Sequence, residues 1–81
     1  MIANNAELYS AVKAISRTLH DAGYEQWSAD LSDALTISTL PGEILGETRL
    51  QLQKLKVNKL PQLLGVKDQV DEAISYLNQV L

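Results

Sequence analysis

At 81 residues and 8.9 kDa, the chain has room for one domain with one core, and an active-site cleft would compete with that core. It holds no Cys and no Phe while hydrophobic residues make up 46% of it, which excludes disulfides, thiolate metal sites and thiol nucleophiles and leaves Leu, Ile, Val and Ala to fill the core. The net charge of −3 argues against non-specific nucleic-acid binding as a main activity.

The first helix is expected to start near Asn4, whose side chain can cap it while Glu7, three residues on, completes a capping box. Leu8, Val12, Ile15 and Leu19 then recur at steps of four, three and four and form one stripe. Gly23 suits the left-handed residue that ends a helix. A second helix follows almost at once, with Tyr24, Trp27, Leu31, Ala34 and Leu35 on one face. Residues 36–40 read as a connector, and Pro41 fits the first turn of the next helix, where its missing N–H is not needed.

The third helix, Pro41 to about Asn58, carries two apolar seams. Ile44, Leu45, Thr48, Leu52 and Leu55 share one face, while Gly46, Leu50, Gln53 and Val57 recur at four, three and four on roughly the opposite side. Arg49 and Lys56 lie on one strip between the seams, Glu47 and Lys54 on the other. Such a helix needs two neighbours. If Leu50 and Val57 are spare surface, they centre a protein-binding patch with Arg49 and Lys56 on its rim, steering towards an acidic partner. If Leu60, Leu63 and Leu64 of the following linker cover them, they are only core. Pro61 disfavours helical geometry in Leu60 and Gly65 punctuates the chain again, so the linker is read as irregular. Asp68 is the expected cap of a last helix whose stripe is Val70, Ala73, Ile74, Leu77 and Leu81.

These elements make a single all-α domain over residues 1–81. Short connections favour a small antiparallel four-helix bundle, the alternative being a three-helix core with one irregular element. The expected core is Leu8, Val12, Ile15, Leu19, Leu31, Leu35, Leu52, Leu55, Ile74 and Leu77. No segment approaches the roughly 18 continuous apolar residues of a membrane span. The N-terminal residues lack the basic start and apolar stretch of a secretory signal, so a cytoplasmic location is expected.

Groups able to do chemistry are few. His20 is the only histidine; Ser16 lies one turn before it and Asp21 beside it, but adjacent residues do not share a helical face, and His20 reads as an ordinary solvated side chain. The four glycines do not cluster into a phosphate loop. Acid pairs such as Asp30 with Asp33 are explained by solvated faces. The expectation is therefore a non-enzymatic protein with no cofactor and no metal. Its charge is uneven, at −5 over residues 1–48, +5 over 49–67 and −3 over 68–81. Tyr24 and Trp27 add a candidate aromatic contact, although their place on an apolar stripe favours core.

The stretch from Gly23-Tyr24-Glu25-Gln26-Trp27 through Leu35-Thr36-Ile37-Ser38-Thr39-Leu40-Pro41-Gly42-Glu43-Ile44-Leu45-Gly46 resembles small helical bacterial proteins, some of the immunity type that bind and neutralise a cognate toxin. That resemblance implies a cytoplasmic, non-enzymatic protein whose partner is another protein. The residues themselves leave two partners open, a different protein or a second copy of this chain.

Overall fold

Asn4 begins the first helix, α1 (Asn5–Asp21), by accepting a hydrogen bond from the Glu7 N–H at 2.9 Å. Glu7 answers by accepting from the Ala3 N–H at 2.9 Å, so the capping box closes one residue ahead of the cap itself. At the far end Gly23 takes φ +90, the Tyr24 N–H reaches back to the Leu19 carbonyl at 2.9 Å, and the Gly23 N–H reaches the His20 carbonyl at 3.0 Å. This pair of bonds is the Schellman arrangement, which satisfies carbonyls the helix would otherwise leave open.

α2 (Glu25–Ala34) follows directly, and α3 (Pro41–Val57) starts with proline in its first turn after an extended Leu40. The computed structural model describes all residues 1–81. It is all-helical, without strands, and has five helices where four were expected. The addition is α4 (Leu60–Leu63), a single turn in the stretch read as an irregular linker. Pro61 does not prevent it, because in a first turn the ring's missing N–H forfeits no bond. Lys59 supplies the break from α3 by adopting φ 59, a left-handed conformation usually left to glycine. A second Schellman pair, Val66 N–H to Pro61 O at 2.9 Å and Gly65 N–H to Gln62 O at 3.4 Å, closes α4 around Gly65 at φ +72.

The last helix, α5 (Lys67–Val80), has Val66 and not Asp68 at its N-cap position, and no side chain caps it. Asp68 stands inside the first turn, where its charge favours the helix dipole without capping. α1 packs on α2 and α5, α3 also packs on α2 and α5, and α4 touches α3 and α5. The core is Leu8, Val12, Ile15 and Leu19 from α1, Leu31 from α2, Leu45, Leu52 and Leu55 from α3, Leu60, and Val70, Ala73, Ile74 and Leu77 from α5. Nine of the ten expected core positions are buried; Leu35, at the end of α2, is half-buried. No helix is long and apolar enough to cross a membrane.

Candidate protein-binding face

The helical period of α3 turns Leu45, Thr48, Leu52 and Leu55 inward, and all four are buried. Leu50 and Val57 therefore point away from the core, and they are 44% and 81% exposed. The leucines expected as their alternative cover do not serve as one. Leu60 goes into the core, Leu64 is half-buried and Leu63 stands 69% exposed. Gly46, on the same outward side, has no positive φ, and a Cβ placed on it would meet nothing within 4 Å. No contact within the chain requires a glycine there.

The two flanks of this face differ. On the side towards α5, the Arg49 guanidinium donates to Asn78 Oδ1 at 3.1 Å, and Lys56 Nζ lies 2.9 Å from Asp71 Oδ1. Asp71 also accepts from Lys67 Nζ at 3.0 Å. Contact with Lys56 first, then with Lys67, holds the Asp71 carboxyl below its ordinary range against the opposing effect of desolvation. The same carboxylate raises Lys67, mainly through the hydrogen bond. Arg49 and Lys56 are thus engaged with α5, which lessens what they can offer as free steering charges. On the other flank, Gln51 donates to Glu47 at 3.1 Å, and neither Glu47 nor Lys54 makes an ion pair within the chain.

Tyr24 and Trp27 are half-buried and pack against the core, in keeping with their place on the α2 stripe. They support the fold more than they present a free surface.

The α1–α2 junction holds a polar groove of about 460 Å³, lined by Lys13, Ser16, Arg17, His20, Asp21, Ser28 and Ser32. Its floor is a serine cluster that sequence periodicity did not single out. Ser28 Oγ donates to the Ser16 carbonyl at 2.8 Å and Ser16 Oγ donates to the Ser28 carbonyl at 2.9 Å. Each hydroxyl has one proton, so the 2.6 Å contact between Ser16 Oγ and Ser32 Oγ carries the proton of Ser32. Ser28 lies within the apolar stripe of α2 and Ser32 four residues later, and that spacing was the available signal. His20 lines this groove with Ser16 and Asp21 but makes no side-chain hydrogen bond or ion pair in the chain. The Ser16 proton goes to a backbone carbonyl, so the trio has none of the hydrogen-bonded relay that activates a serine.

Comparison with protein-family models, characterised proteins and solved structures returned no match.

Proposed function

We propose that this chain is a non-enzymatic protein-binding module whose binding face is the outward side of α3, with Leu50 and Val57 as its apolar centre. The observation that carries this reading is their exposure, on the side of α3 opposite buried Leu45, Leu52 and Leu55. An apolar pair turned to water with polar residues around it has the make-up of a small interface core and rim. The frame holding that face is read as a small antiparallel four-helix bundle of α1, α2, α3 and α5, since each of these packs against two of the others and α4 is one turn long. The absence of Cys is compatible with work in the cytoplasm. Binding of a cognate protein in the immunity manner is one use of such a face, and self-association is the other.

Substitution tests the reading. Leu50→Asp or Val57→Asp should abolish binding of a protein partner, or self-association, while leaving the melting temperature near that of the wild type. A folded Leu50→Asp variant that still associates and binds as the wild type does would overturn it.

A further inference from the structure

We infer that the outward face of α3 is completed by the same face of a second copy of the chain, docked antiparallel to it. This rests on the reading of α3 as a binding face and names its occupant.

The argument is one of charge and register. Gly46, Leu50, Gln53 and Val57 form the outward seam, Glu47 and Lys54 flank it on one side, and Arg49 and Lys56 flank it on the other. When two copies of a helix pair antiparallel, each flank meets the same flank of the other copy. Glu47 of one copy then meets Lys54 of the other, twice, because the two-fold axis repeats the contact. Both side chains are free of ion pairs within the chain. The opposite flank brings Arg49 towards Lys56, which are like charges, but each is already held by α5: Lys56 lies 2.9 Å from Asp71 and Arg49 donates to Asn78. Asp71 offsets part of the Lys56 charge, so the repulsion on this flank is smaller than between two unpaired cations; Arg49, held by a neutral amide, keeps its charge.

Parallel docking fails the same test. It sets Lys54 of one copy beside Arg49 of the other, like against like at both symmetry-related places, with nothing gained by Glu47.

The seam also matches itself in shape. Antiparallel pairing centred between Leu50 and Gln53 sets these two side chains against each other and places Val57 over Gly46 of the second copy. A Cβ on Gly46 would touch nothing in its own chain, and glycine in a helix interior is a poor helix former. A neighbouring side chain from outside accounts for its presence. Exposed Leu40 at the start of one α3 is drawn towards the exposed Val57 end of the other. A contact made mainly by one helix pair is smaller than a standard interface, so the association is weak and depends on concentration.

Sedimentation equilibrium at low ionic strength on the wild-type chain, Glu47→Lys, Lys54→Glu and an equimolar mixture of the two variants tests the proposal. The wild type should show a monomer–dimer equilibrium, weakened by added salt. Each variant alone sets like charges across the two-fold axis and should weaken dimerisation by about tenfold. The mixture should recover it, because the flank that is wholly basic in one variant then faces the flank that is wholly acidic in the other; recovery also shows that both variants are folded. A wild type that stays monomeric up to about 1 mM overturns the proposal, as do variants that associate like the wild type or a mixture no tighter than its components. A monomeric wild type whose binding to a different protein is lost in Leu50→Asp overturns the second copy as occupant and leaves the binding face standing.

Discussion

Thr48 is the one fully buried polar side chain of α3, at 0% exposure, and its Oγ1 has no hydrogen-bond partner. A threonine inside a helix commonly donates to the carbonyl four residues back, as Thr18 does to Ala14 at 3.2 Å; Thr48 does not. A buried hydroxyl without a partner costs about 1–3 kcal/mol. Thr48→Val replaces it with a methyl of similar volume on the buried face that Leu45, Leu52 and Leu55 share, and the two β-branched residues have similar helix propensity. The variant should therefore be more stable by about 1–3 kcal/mol. In a domain of this size each 1 kcal/mol moves the melting temperature by roughly 4–8 °C. Thermal melts followed by circular dichroism, with urea titrations to show an unchanged m-value, measure the effect. Thr48→Ser is the control: it keeps the unpartnered hydroxyl, loses a buried methyl and should be destabilised by about 1 kcal/mol. A Thr48→Val variant that melts at or below the wild-type temperature would refute the reasoning, because the hydroxyl would then have a compensating partner.

Ser16→Ala should have the opposite sign. It takes from the α1–α2 junction the donor to the Ser28 carbonyl and the acceptor of the Ser32 proton, and a loss of about 1–3 kcal/mol in urea denaturation is expected; Ser32→Ala, at an exposed position, should stay within about 0.5 kcal/mol. Equal effects from the two would mean that the cluster is not organised around Ser16. The Asp71 carboxyl is held below its ordinary value of 3.8, so its contribution is present above that value and is lost as pH falls through the lower value it has in the folded chain. Lys67 is raised above 10.5, so its contribution is present below that value and fades as pH climbs past it. Asp71→Asn should flatten the part of the acid-side slope that Asp71 causes and weaken the alkaline loss assigned to Lys67, both read from melting temperature against pH. An unaltered profile would show that Asp71 gains nothing from Lys56 and Lys67.

Much of the frame is legible along the chain because its signals are local. Gly23 and Gly65 end helices at positive φ, where residues with a Cβ are penalised, and the four long stripes follow a period that burial enforces. Expectation and structure part where a residue does a job normally given to another. Pro61 marks the end of α3 near Asn58, but Lys59 takes the left-handed turn that glycine would announce, so nothing in the sequence marks the extra helical turn of α4. Asp68 has the right chemistry for a cap, but the Schellman turn around Gly65 already brings the chain into helix two residues earlier. The serine cluster and the ties of Arg49 to Asn78 and Lys56 to Asp71 join different helices, and periodicity within one helix carries no information on which side chains of two helices meet.

The outward seam of α3 lies between these cases. Its existence is legible, because Leu50 and Val57 recur with the helix; its exposure is not, because that depends on where the next turn runs. Lys59 decides it by turning the chain so that Leu60 enters the core while Leu50 and Val57 stay open to water. On the proposed pairing, the same seam accounts for two features that stability within one chain leaves without a reason, a glycine in the middle of the helix at Gly46 and an acid and a base without ion pairs seven residues apart on one strip. Each weakens or wastes an interaction in the monomer. Both become favourable when an antiparallel copy supplies the opposite face, so the residues that serve the isolated domain least are the ones that argue most directly for what it binds.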